Sequence, residues 1–337
     1  MEENLYNRLV YLDHNVLDPM TKGDPYGIAK LFENNDFIAT YSDENLNEIR
    51  RSKGYENSFL EVLSNINARY VVPNMDENFR YTGTAQVHEG DPFKIYRSYI
   101  ENTDEMSELG YGMTGMVRKM YGGMADSSFI DIFEKGAKEI CDLTQLSDVE
   151  IEAAGLGKEE TVQIKELIKI LPDILDSSYS ELGNMLDKDS VDNAVKDFEK
   201  ITGVGPKVLK NISGPNSLTQ VWEHIEKSFP DVDLTLEKFF GLDRSDWSNE
   251  ADRELSVVEK VNAIYHQLNY VGFFRDTNMK KSHRFTASFS DMTHAGMATF
   301  CKVFICRDED LVMKAAAAYE YLGLRTKIVH IKANKTI

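Results

Sequence analysis

A chain of 337 residues, 42% hydrophobic and 28% charged, has ordinary globular composition and is long enough for one large domain or two modest ones. Its 38 Lys and Arg face 56 Asp and Glu, and the resulting charge of −18 excludes a polybasic nucleic-acid coat or a basic membrane anchor as the main binding device. Three cysteines (Cys141, Cys301, Cys306) at no metal-like spacing exclude a disulfide framework and a zinc ribbon.

Leu9-Val10-Tyr11-Leu12 reads as a buried strand running into a polar turn, Asp13-His14-Asn15. Gly27 to Asn34 and Ser42 to Arg51 have helical patterns, with the apolar segment Phe37 to Tyr41 between them, and Tyr70-Val71-Val72-Pro73 is a second strand. From Glu159 to Leu175, Ser190 to Ile201, Leu218 to Phe229 and Asp252 to Gly272, helix-length apolar periodicity alternates with breaks at Gly155, Pro172, Gly203-Val204-Gly205-Pro206, Gly214-Pro215 and Pro230. Lys302 to Cys306 is a strand, Asp310 to Leu322 a helix stopped by Gly323, and Arg325 to Ile331 a last strand. Strand, helix, strand with short connections predicts a right-handed crossover in a parallel sheet.

Charge divides the chain sharply. Residues 71 to 269 carry 20 basic and 38 acidic side chains, whereas the two ends together carry 18 of each. The expectation is an α/β parallel-sheet domain built from both ends, 1–74 and 270–337, split by an acidic, mostly α-helical insertion over 75–269. Such an insertion can dock a regulatory protein partner. No apolar run reaches the roughly 18 residues of a membrane span, and Met1-Glu2-Glu3-Asn4 opens no hydrophobic signal region, so a cytoplasmic protein without membrane partners is expected.

Five carboxylates mark the neutral ends. Asp13 follows the first strand, Asp308 and Asp310 follow Lys302 to Cys306, and Asp291 is read as opening the helix before that strand. Glu48 lies on the edge of its helix if Leu46 and Ile49 face the core. Sites in doubly wound sheets form at the carboxyl ends of strands. Converging carboxylates cannot all ionise without a cation, and hard oxygen ligands suit Mg²⁺ or Mn²⁺ acting on a phosphodiester. Each residue also has a plainer role: Asp291 and Asp310 as helix caps, Asp13 and Asp308 as turn acids.

The order of these segments resembles the PIN-like nucleases. Tyr11-Leu12-Asp13-His14-Asn15 is similar to the family's first motif, Ser42 through Glu48 to Arg50 to its second, Asp291-Met292-Thr293-His294-Ala295-Gly296-Met297-Ala298 to its third, and Cys306-Arg307-Asp308-Glu309-Asp310-Leu311 to its fourth, with Cys306 where Thr or Ser is usual. The resemblance implies a PIN-like fold and metal-dependent phosphodiester cleavage, most often of RNA. Asp13, Glu48, Asp291 and Asp308 would be the acidic catalytic centre, with Asp310 a further ligand and Asn15 and Ser42 holding carboxylates. Asp43 and Glu44 compete with Glu48 as the second-motif acid.

A phosphate backbone needs positive charge beside such a centre. Arg275, Lys280, Lys281 and Arg284 precede Asp291 closely, Arg50 follows Glu48, and His294 lies one helical turn beyond Asp291. Phe273, Phe274 and Phe285 interleave with this stretch and can stack on single-stranded bases. Phe198 to Ile212 resembles a helix-hairpin-helix, whose turn binds a nucleic-acid phosphate, but Leu209 stands where a small residue is usual and the surrounding acidity favours a plain helical hairpin turn. The reading is therefore a Mg²⁺- or Mn²⁺-dependent nuclease, of RNA (transfer RNA included) more than DNA. A large insertion on a small nuclease suits a regulated toxin or anti-phage defence effector. A flap- or single-strand DNA nuclease and an idle scaffold for a protein partner are the alternatives. The stretch Gly110 to Met116 with Gly122-Gly123-Met124 is read as flexible or as adaptable packing.

Overall fold

The computed structural model describes residues 3–34, 36–78, 80–103, 111–143, 157–188, 193–246 and 253–332. Two compact units emerge: Met1–Glu101, Glu199–Asp276 and Thr286–Ile337 form the first, Asn102–Phe198 and Thr277–Phe285 the second.

Within the described residues, the first unit is an α/β fold around a six-stranded sheet. Its strands are β1 (Leu9–Leu12), β2 (Ile38–Tyr41), β3 (Arg69–Met75), β4 (Tyr81–His88), β5 (Val303–Cys306) and β6 (Lys327–His330), in the order β4-β3-β2-β1-β5-β6. All neighbours are parallel except β4, which runs antiparallel to β3 at one edge. Every residue of β1 and β2 is buried, as central parallel strands covered on both faces require.

Successive side chains of a strand point to opposite faces. Val10 and Leu12 therefore join the core of Leu17, Leu46, Ile49, Phe59 and Leu63. Tyr11 points the other way, where its ring meets Phe304 at 5.9 Å between centroids. From β1 the chain steps through β2 to β3 on one side, while β5 and β6 lie on the other. The direction of travel reverses between β1 and β5, and their carboxyl ends frame the crevice that such sheets use for ligands.

Several local expectations change. The polar turn after β1 is instead the first turn of helix His14–Thr21, with Asp13 at its N-cap. Gly27 to Asn34 yields only a 3₁₀ turn, Ala29–Phe32. Helix Ser282–Met297 begins well before Asp291, which therefore sits in its interior and caps nothing. The expected break at Pro172 does not form, since Lys158–Lys188 is one helix. Gly155, Ser190 and Gly110 lie outside the described residues.

Nor do residues 75–269 form one inserted body. β4 belongs to the sheet, and residues 199–269 fall in the first unit, where helix Val257–Val271 packs on helix Glu309–Tyr321. Charge misplaced the boundary because it reports the solvated face of a helix, whereas the apolar face decides which body the helix joins.

In the second unit, Tyr111–Met120, Phe129–Leu143 and Lys158–Lys188 are helices around buried Phe129, Ile132, Phe133 and Phe285. The Asp187 carboxylate accepts the Phe129 and Ile130 N–H groups at 2.8 and 3.2 Å, which satisfies orphan donors at that helix start. Gly115 permits close packing: a Cβ there would come within 2.8 Å of Ile132. Among the described residues, no helix is long and apolar enough to cross a membrane.

Candidate metal centre

Helix Asp43–Arg51 is clamped to the end of β1 by one buried asparagine. Asn45 donates to the Leu12 carbonyl at 3.0 Å and accepts the Ser42 N–H at 2.9 Å. Leu46 and Ile49 are fully buried beneath the helix. Glu48, one turn past Asn45, consequently overlooks the strand exit where Asp13 sits. Glu44 turns aside to Ser290 and Arg51, and Asp43 accepts the Tyr70 hydroxyl, so Glu48 alone of the three acids reaches this point.

Helix Ser282–Met297 supplies the third group. His294 is fully buried, with Nε2 2.7 Å from Glu48 Oε2 and 3.8 Å from Asp13 Oδ1. Its Nδ1 lies 2.8 Å from the Tyr11 hydroxyl, which is 2.7 Å from Ser42 Oγ. Ser42, Tyr11, His294 and Glu48 thus form one buried hydrogen-bonded chain beside Asp13. A partner on the second ring nitrogen is what orients a ligating imidazole.

Asp13, Glu48 and His294 each offer one ligand atom, and these atoms all lie within 4.8 Å of one another. Asp13 is 1% exposed, yet its Oδ2 has no hydrogen-bond partner among the described residues. An unpaired buried carboxylate oxygen is costly until a cation meets it. Burial raises Asp13 to about 6; His294 opposes, and the charges of Glu48 and Asp308 add to the rise. Burial also disfavours a charged His294, but the Glu48 carboxylate outweighs it and raises the imidazole to about 9. Glu48, against its own burial, is held below its ordinary value mainly by His294. A protonated His294 would balance the two carboxylates, and the ring would have to give up its Nε2 proton to join them in holding a divalent ion.

Beside this triad lies a second acidic group around a lysine. Lys314 is fully buried, its Nζ 2.8 Å from Asp276 Oδ1, 3.5 Å from Asn269 Oδ1 and 4.6 Å from the Tyr265 ring centre. Burial and the charges of Asp13, Asp276 and Asp308 push Asp291 well up, with Lys314 opposing. Asp310 rises to about 6, again by burial first and against the pull of Lys314. Asp308 is the N-cap of Glu309–Tyr321, accepting the Leu311 N–H at 3.0 Å. Lys314 is thus a built-in cation for the carboxylates outside the triad.

The other expected roles shift. His294 is part of the triad instead of a substrate contact at its rim. Ser42 bonds Tyr11 and no carboxylate, and the side chain of Asn15 is exposed while its main-chain N–H favours the charged form of Asp13. Arg275 is committed to the Asn269 and Tyr270 carbonyls at 3.0 and 2.7 Å, which makes it a clasp on a helix end. Arg50 is half-buried on its helix; Lys280, Lys281 and Arg284 are exposed in the second unit. Phe273 and Phe285 are buried and cannot stack on bases. At the hairpin, the helix after the turn is only Pro206–Leu209, and the Glu199 carboxylate lies against Gly205, where it would repel a phosphate.

Tyr11, Asp276 and Lys314 were not expected at the site. Lys314 carried a signal: it shares the inner face of its helix with Leu311, Ala315 and Ala318, a position where an unpaired lysine is rarely tolerated. No protein-family model, curated protein or solved structure matches this chain.

Proposed function

We propose that this protein is a divalent-metal-dependent nuclease with a PIN-like first unit, cleaving RNA. The observation that carries the reading is the buried, unpartnered Asp13 Oδ2 facing Glu48 and His294 at the reversal point of a parallel sheet. Two carboxylates and an imidazole suit Mn²⁺ better than Mg²⁺, which prefers oxygen alone. An ion held there would supply charge neutralisation and would make a bound water acidic enough to ionise to the hydroxide that attacks a phosphodiester.

The chain's own groups supply the rest. Asp13 and Glu48 would hold the ion together with His294, whose ring is oriented by Tyr11, itself fixed by Ser42. Lys314, paired with Asp276, offsets part of the acidic charge around Asp291 and Asp310 that would otherwise repel a substrate phosphate.

The test is Mn²⁺ titration by calorimetry beside cleavage of labelled single-stranded RNA, transfer RNA and single-stranded DNA, for wild type, Asp13→Asn and Glu48→Gln. Metal binding and metal-dependent cleavage, both weakened at least about ten-fold in the variants, are expected from losing one ligand. Wild type that binds no Mn²⁺ would sink the proposal.

A further inference from the structure

A cavity of about 460 Å³ opens within the first unit on the Glu44 side of the triad, large enough for a nucleobase and its sugar. Its walls include Tyr81, Tyr99, Met75 and Met297, flat or polarisable surfaces that suit an aromatic ring. Its charged groups are of one sign. Asp43, Glu44 and Asp76 line it beside the neutral Ser42, Asn47 and Thr293, and none of the described lining residues is Lys, Arg or His. Such a lining rejects a phosphate and favours an uncharged planar group with N–H donors.

The acceptors are available. The three hydrogen bonds on Glu44, from Ser290, Arg51 and Asn47, all fall on Oε1, which leaves Oε2 to accept. At Asp76 the two main-chain donors, Asn78 and Arg80, both fall on Oδ1.

The cavity is also joined to the triad through the chain itself. Glu44 and Glu48 stand about one turn apart on helix Asp43–Arg51, a rise of about 6 Å. Thr293, another lining residue, precedes His294. Arg51 bonds Glu44 at 3.2 Å and approaches Glu48 at 3.6 Å. A base seated in the cavity would put its own sugar-phosphate link beside the metal centre.

We infer that this cavity is a recognition pocket for an unpaired nucleobase bearing an exocyclic amine, next to the phosphodiester to be cut. The inference rests on the nuclease reading and names its specificity. Carboxylate acceptors discriminate cytosine, with its amino group, from uracil, which presents a carbonyl at that position. Recognition of splayed single-stranded bases by stacking plus edge contacts is the ordinary mode for RNA.

Cytidine, adenosine and uridine carry the base without the phosphate, so their binding to the metal-free full chain tests the pocket apart from catalysis. Calorimetry or saturation-transfer NMR should find cytidine and adenosine about ten-fold tighter than uridine. Met75 is 49% exposed, so Met75→Trp can fill the cavity without disturbing the core; it should weaken cytidine at least about ten-fold. Asp76→Asn, which keeps the turn, should narrow the cytidine-to-uridine ratio. Mn²⁺ affinity should stay within about two-fold in both variants, since neither touches the triad. Equal binding of uridine and cytidine, no nucleoside binding, or cytidine binding indifferent to both variants would each overturn the inference. Loss of Mn²⁺ binding in wild type would instead refute the metal centre and leave the nucleoside result to stand by itself.

Discussion

Replacing Lys314 by methionine removes a cation buried beside Asp276, Asp291 and Asp310 while keeping most of the side-chain volume. Breaking a buried pair by deleting one partner costs about 3–5 kcal/mol, because the remaining charge is stranded. Two features place this case at the lower end. The Asp276 side chain is 14% exposed, so water reaches it, and it retains the Ser288 hydroxyl at 2.5 Å. Loss of the contact with the Tyr265 ring adds about 1 kcal/mol, which gives a total near 3–4 kcal/mol. Urea unfolding followed by circular dichroism should show the midpoint falling by about 1–2 M for a typical urea slope. The double variant Lys314→Met, Asp276→Asn should recover at least about 1 kcal/mol of the loss, since neither charge is then stranded. A single variant within about 0.5 kcal/mol of wild type, or strict additivity in the double, would refute the claim that Lys314 neutralises the cluster.

Asn45→Ala leaves the Leu12 carbonyl and the Ser42 N–H without their partner, so a loss of about 1–3 kcal/mol in thermal or urea unfolding is expected, with Mn²⁺ affinity reduced because the clamp on Glu48 is released; unchanged metal affinity would mean that Glu48 is positioned by other contacts. Glu259 accepts from Arg253 at 2.7 Å and from the Ser256 N–H at 2.9 Å, and although burial works against its charge these bonds hold its carboxyl below the ordinary value. Because the folded value is the lower one, its contribution is present above the unfolded value of about 4.3 and fades as pH falls through the folded one. Glu259→Gln should accordingly cost about 1 kcal/mol at pH 7 and progressively less below about pH 4, read from unfolding midpoints across pH; a cost that does not vary with pH would argue against the ionic cap.

The sheet's central strands were legible because their evidence is local. Leu9 to Leu12 and Phe304 to Cys306 are short apolar runs, and in a parallel sheet covered on both faces such runs have few other places to go. The carboxylates at their exits, Asp13 and Asp308, followed from the same reading. Other elements resisted it. β4 alternates apolar and polar residues inside an acidic stretch, and nothing local says that Tyr70 to Pro73 will pair with it. Asp291 looked like a helix start because Ser290-Asp291 is a capping pattern, yet the helix had already begun at Ser282.

What the sequence by itself determined, then, is the set of strand-forming runs, the acids at their carboxyl ends and the helical character of the middle, since all three depend on spacing along the chain. Tertiary structure alone decided that Glu48 and not Glu44 meets Asp13, that Tyr11 aims His294, and that residues 199–276 belong with the sheet. It alone brought Lys314 from one helix face to Asp276 in the loop before another helix. Those choices rest on which face of a strand or helix turns inward and on partners tens to hundreds of residues away. Side-chain direction is set by packing, and packing is a property of the closed chain, so no local pattern carries it.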